Sequence, residues 1–225
     1  MTEETEAIKE VAKTAGKAIA ASEKMVGFFD RVFGDLLENS VGLLSDKLKY
    51  YRSEKLLLLH EKTKKKLEDA GVDFPDPVLP KIGIPLIENA TIEDDDSLHT
   101  KWANMLANAM NPEYREEIKR SYVSILSEID PLDALILDTI TIQHQKAELE
   151  GTELGLFDRS KICSNLNIDL KDCELSLRNL MRLGCITPGV VTGAISMGDH
   201  RVASYKDTEL FSLTELGLSF HKAVS

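Results

Sequence analysis

The sequence predicts a mainly α-helical protein in two parts, an N-terminal multi-helix unit followed by a winged-helix-like α+β unit. Three observations carry that reading. Apolar residues recur at helical spacing through most of the first 130 residues. Prolines gather at Pro75, Pro77 and Pro80 and return at Asp130-Pro131, where a helix must break. Beyond Pro131, three short helical patterns give way to two β-prone runs around a Gly-rich turn and then to a closing helix. A chain of 225 residues with 43% hydrophobic residues can build two small cores. The expected division is residues 1–130, with a proline-rich connector at 72–80, and residues 131–225.

Residues 5–24 place Ile8, Val11, Ala12, Ala15, Ala18 and Ile19 at helical spacing, with Lys9, Lys13 and Lys17 along another face. Residues 25–44 follow with a broad apolar surface of Met25, Phe28, Phe29, Val32, Phe33, Leu36 and Leu37. Phe28, Phe29 and Phe33 are therefore candidate interaction residues, for core or oligomer packing or for a membrane surface. The polar residues of the segment favour packing: Asp30, Asp35 and Glu38 outnumber Arg31, whereas interfacial helices present Lys and Arg to lipid headgroups. Gly27, Gly34 and Gly42 allow close helix-helix approach.

A long helix is expected over 45–70, with Leu48, Tyr51, Lys55, Leu58 and Lys62 on one side and Gly71 as its C-terminal cap. Lys62, Lys64, Lys65 and Lys66 suit its negative end. After the extended connector, Pro85 suits the first turn of a short helix, PLIENATI.

The acidic triplet Asp94, Asp95 and Asp96 comes next. It has a structural reading, as the cap of the following helix, and a chemical one, as a divalent-cation site with His99. Adjacent residues at a helix start diverge, so capping is preferred and no metal site is assigned. Trp102, Met105, Leu106 and Ala109 fall at i, i+3, i+4, i+7, making Trp102 the anchor of a core or a helix-helix interface. Asn104 and Asn108 share another face, suited to a partner's backbone or to water. A helix from about Pro112 carries Ile118, Tyr122, Ile125 and Ile129 and ends at Asp130-Pro131.

The second part opens with PLDALILDTITIQHQ as an apolar helix, then a short helix from Asp158, then a third in which Cys173, Leu177, Leu180 and Leu183 line one side and Gly184 closes. Thr214 caps the final helix. Were this unit to enter DNA, the 169–183 helix would lie in the major groove, with Lys171, Arg178 and Arg182 on the helix and Arg201 in the wing as candidate nucleic-acid contacts. Asp169, Asp172 and Glu174 share the entering end and repel phosphate.

Charge agrees with that objection. The chain carries a formal charge of -11. Residues 1–75 hold 13 Lys+Arg against 14 Asp+Glu, residues 76–130 hold 5 against 11, and residues 131–225 hold 9 against 13. Such a balance opposes non-specific attraction to nucleic acid or anionic lipid. Cys163, Cys173 and Cys185 are odd in number and lack CxxC spacing, which reads as small buried hydrophobes in a reducing compartment. The acidic start MTEETEAIKE is unlike an export signal, and no apolar run approaches the ~20 residues that cross a bilayer. A cytoplasmic protein is expected. No nucleophile-base pair, phosphate loop or metal-ligand cluster stands out, so the expectation is a non-enzyme without a cofactor.

Four stretches carry a family resemblance: GKAIAASEKMVGFF, LLSDKLKYYRSEKLLLLHEK, PLIENATIEDDDSLHTKWANMLANAMNP and SYVSILSEIDPLDALILDTI. Over approximately residues 10–215 the chain resembles the Abi-alpha (abortive infection alpha) family, most specifically in IPLIENATIEDDDSLHTKWANML. Pro85, Glu93, Asp94, Asp95, Asp96, Trp102 and Asn108 are the matching positions, and no catalytic role comes with them. The resemblance implies a cytoplasmic, mainly helical bacterial antiphage defence protein. The expected mode of action is association, with itself or with a protein partner, or engagement of a membrane surface. The alternative is a winged-helix DNA-binding transcriptional regulator.

Overall fold

The computed structural model describes residues 27–28, 31–33, 53–114, 117–151, 156–189, 195–197, 200–202 and 210–225. The helix expected over 5–24, most of the 25–44 segment including Phe29, and the start of the 45–70 helix lie outside the described residues. What is described is mainly helical, with a small three-stranded antiparallel sheet. The chain divides into two compact units, one up to Val123 together with Val224, the other from Ser124 to Ala223 together with Ser225.

In the first unit, α1 (Ser53–Asp69) ends as its sequence demands. Gly71 takes φ +68, its N–H donates to Glu68 O (3.0 Å), and Val72 N–H reaches back to Leu67 O (2.9 Å). This pair of bonds is the Schellman motif, open to glycine because the left-handed conformation crowds a Cβ. The connector that follows is extended and anchored: Asp76 N–H donates to Met110 O and Val78 N–H to Val32 O, both at 2.7 Å.

The next helix, α2 (Pro80–Ile92), starts five residues earlier than PLIENATI. Pro80 takes the first-turn position, where a missing N–H costs nothing, and Pro85 lies inside the helix rather than at its start. Burial of Ile82, Leu86, Ile87 and Ala90 along one face carries the helix across Pro85. Gly83 lets α2 meet the 31–33 segment closely, because a Cβ there would stand 2.6 Å from Phe33 Cε1.

At the centre of this unit runs α3 (Asp96–Met110), packed against α1 and α2. Trp102, Met105, Leu106 and Ala109 are buried as their spacing implies, and so are Leu98, Ala103, Ala107 and Met110. The helix expected from Pro112 is shorter: Asn111 Oδ1 accepts the Glu113 N–H (3.0 Å) in a turn of its own, and α4 (Arg120–Ser127) begins only afterwards. Ile118, Tyr122, Ile125 and Ile129 are buried nonetheless.

The second unit contains α5 (Pro131–Leu149), β1 (Phe157–Asp158), α6 (Arg159–Leu166), α7 (Leu170–Arg182), β2 (Ile186–Pro188), β3 (Ile195–Met197), β4 (His200–Val202), β5 (Leu210–Leu213) and α8 (Glu215–Val224). Asp158 caps α6 by accepting the Lys161 N–H, and Asp169 caps α7 by accepting that of Lys171. The sheet order is β1-β5-β2, all antiparallel, with Phe157 opposite Phe211 and Ile186 opposite Leu213. The two-residue β1 is too short to leave an alternating pattern, which is why the sequence does not reveal it. Between β2 and β5, β3 and β4 form a ladder of their own.

One cysteine expectation changes. Cys163 of α6 and Cys173 of α7 are disulfide-bonded, their Cα atoms 6.1 Å apart, and Cys185 alone is a free thiol. A spacing of ten residues across a helix-turn-helix brings the two side chains together, which a search for CxxC spacing overlooks.

Candidate functional site

The acidic triplet sits where α2 hands over to α3, and its three carboxylates part company. Asp94 turns toward Lys55 of α1, with Nζ 4.0 Å from its carboxylate and 3.3 Å from its carbonyl oxygen. Asp95 is the N-cap of α3, its Oδ1 accepting the N–H groups of Ser97 and Leu98, each at 2.9 Å. The Leu98 N–H leads the interactions that hold the Asp95 carboxyl below the usual carboxylate range. Asp96 pairs with Lys62 of α1 at 2.7 Å, and the hydrogen bond from that ammonium holds its carboxyl down too. Lys62 also donates to Thr100 Oγ1 (2.7 Å) and Asp96 O (3.2 Å).

Two lysines of α1, one heptad apart, thus hold the entry to α3. The sequence places Lys55 and Lys62 on one side of α1 but does not say which residues they meet.

His99 lies beneath this polar rim, fully buried. Its Nε2 stands 3.2 Å from the Lys55 carbonyl oxygen. Because a carbonyl only accepts, the neutral ring carries its proton on Nε2 and leaves Nδ1 without a partner. Burial pushes the His99 pKa down, and the Lys62 charge adds to that. Trp102, one turn on, is buried with an unpartnered Nε1. Asn108 is half-buried on the last turn of α3. The triplet and His99 therefore point to different places, and among the described residues no group of three or more His, Cys, Asp or Glu side chains is placed to hold a metal ion.

Phe28 and Phe33 are both buried, and the Phe28 ring meets His60 of α1 edge-on at 4.9 Å between centroids. These two rings serve the core of the first unit. No described helix is long and apolar enough to cross a membrane.

In the second unit, two of the four candidate nucleic-acid residues, Arg178 and Arg182, are held by acids. Arg178 donates to Glu174 Oε1 through Nη2 (2.7 Å) and Nε (3.1 Å), and that guanidinium holds the Glu174 carboxyl below its usual range. Arg182 reaches Glu128 at 2.7 Å and donates to Asn179 Oδ1 through Nε and Nη2. Lys171 is exposed in the first turn of α7, and Arg201 lies on β4 opposite Ser196.

Asn179, which sequence reasoning passed over, connects this end of the unit. Its Nδ2 donates to Glu128 O (2.9 Å) and to the buried carboxylate of Asp133 (2.7 Å), which also accepts the Asp130 N–H (3.0 Å). A polar residue between Leu177 and Leu180 on a strongly amphipathic helix is the signal that could have found it.

The sequence model of the family described as abortive infection alpha matches residues 51–224. The chain belongs to the abortive infection alpha family. The match starts later than the resemblance suggested and runs nearly to the last residue, so that it includes Asp94, Asp95, Asp96, Trp102, Asn108, Lys171, Arg178, Arg182 and Arg201, while Phe28, Phe29 and Phe33 precede it. Membership of the abortive infection alpha family implies a defence role of the abortive-infection type. No curated protein and no solved structure matches the chain significantly.

Proposed function

We propose that this protein is a non-enzymatic antiphage defence protein that acts by protein association, its C-terminal unit serving as a winged-helix-like protein-interaction module. The observation that carries the defence reading is the family match over residues 51–224. What supports association over nucleic-acid binding is the electrostatics of α7. Arg178 and Arg182 are already engaged by Glu174 and Glu128, and Leu170 and Leu175 are exposed on the same helix. A phosphate backbone would have to displace those carboxylates before gaining either cation. An exposed leucine gains from apolar contact with a partner.

The test is a phage challenge of bacteria expressing the intact chain, scoring plaques and culture survival at low and high phage dose. Protection at low dose that becomes early culture death at high dose supports the reading. Absence of protection against every phage of a broad panel overturns it. The purified chain is expected not to retard DNA even at low salt. A salt-sensitive complex lost on reversing Arg178 and Arg182 to Glu would replace the association reading with the regulator.

A further inference from the structure

The face of α5 turned away from its own core carries Leu135, Ile142 and Leu149, exposed by 47%, 61% and 89%. The inward face is filled by Ala134, Ile136, Leu137 and Ile140. The three exposed residues are spaced seven apart. On an α-helix a heptad repeat drifts by about 20° per step, so all three stay within about 40° of one another. Along the axis they span about 21 Å at ~1.5 Å per residue. An apolar stripe of this spacing is the seam along which one helix pairs with another.

The polar residues beside the stripe identify the partner. Positions equidistant from Ile142 are mates under a two-fold axis through that residue: Leu135 with Leu149, Asp138 with Lys146, Thr139 with Gln145. Apolar meets apolar, acid meets base, and amide meets hydroxyl, twice over by symmetry. A parallel arrangement would instead place Asp138 against Asp138 and Lys146 against Lys146, which like charges oppose.

Within the chain an Asp138 carboxylate oxygen lies 3.1 Å from His221 Nε2, and Lys146 lies 3.9 Å from Glu150 on the next turn. A carboxylate accepts at two oxygens and an ammonium donates three hydrogens, so a single contact exhausts neither kind of group.

We propose that α5 pairs antiparallel with α5 of a second copy of this chain, about a two-fold axis at Ile142. The pairing names the surface for the association in the defence reading, and rests on that reading only for its biological consequence.

The test uses the full chain. Sedimentation over a dilution series should show a reversible dimer, and Ile142→Glu should shift it to monomer with an unchanged helical circular dichroism spectrum. Ile142→Cys should cross-link to itself under mild oxidation. Leu135→Cys and Leu149→Cys chains should cross-link only when mixed. A parent chain that stays monomeric at every concentration, or a Leu135→Cys chain that links to itself, overturns the proposal, the second by showing a parallel pair. Protection against phage is scored separately: a monomer that still protects overturns the seam alone, whereas a dimer with the stated cross-links upholds it whether or not it protects.

Discussion

Two residues show how little space the second unit leaves. Gly217, in the first turn of α8, lies so near the turn after α7 that a Cβ on it would collide with the Cys185 carbonyl. Thr214 closes the same corner, its single O–H shared between Gly184 O (2.6 Å) and Cys185 O (3.0 Å) while its oxygen accepts the Gly217 N–H (2.9 Å). Gly217→Ala is expected to cost about 2–4 kcal/mol, because the obstacle is backbone and cannot rotate away. Thr214→Ala should cost about 1–2 kcal/mol as a lost cap. Denaturant titrations of the two variants check both, and a Gly217→Ala protein as stable as its parent would contradict the close approach.

His99 contributes to the pH dependence of the first unit near neutrality. Burial of the ring holds its folded pKa below the ordinary histidine value of 6.5, so the unfolded chain binds this proton first. The stabilisation is complete above pH ~6.5 and is lost progressively as pH falls from there toward the folded pKa. Replacing His99 with Gln, whose amide can still donate toward Lys55 O, should flatten the fall in melting temperature between pH 7.5 and 5.5. An identical slope in parent and variant would remove His99 as its source.

At the scale of elements, caps and network residues govern stability. Asp95→Ala leaves the Ser97 and Leu98 N–H groups without their acceptor and should cost about 1 kcal/mol, read as a lower denaturation midpoint. Asn179→Leu should cost more, about 1–3 kcal/mol, because it takes the amide from the buried Asp133 carboxylate and frees the Glu128 carbonyl together. An effect no larger than that of Asp95→Ala would mean that water replaces the amide.

Much of this was legible in the residues. Gly71, Asp95, Asp158, Gly184 and Thr214 end or begin helices where local chemistry places them, since caps depend on near neighbours alone. Pro85, β1 and the turn at Asn111 were not, because tertiary burial decided the first, pairing with a distant strand the second, and competition between a side-chain turn and a helix the third. Of the site, the capping role of the triplet could be read from the sequence. Its engagement by Lys55 and Lys62, 39 and 34 residues away, could not.

At the scale of the whole molecule, the sequence indicates two units and places their boundary at Asp130-Pro131, while the contact division falls after Val123, inside α4. A helix that breaks at a proline is visible in sequence, whereas a division running through a continuous helix has no local mark. The thiols give a measurement on the intact chain. With Cys163 joined to Cys173, thiol titration in denaturant should count one free thiol before reduction and three after. Three before reduction would show the pair open in the purified protein.

Cys185 is enclosed, and burial, with the Asp133 charge added, pushes its thiol up to about 12. Near neutral pH its reactive thiolate is then a vanishing fraction. The oxidised native chain thus comes with its own blank background for alkylating dyes and spin labels. One cysteine introduced at an exposed position becomes the sole reporter on the purified, oxidised chain, without first removing a residue from its core.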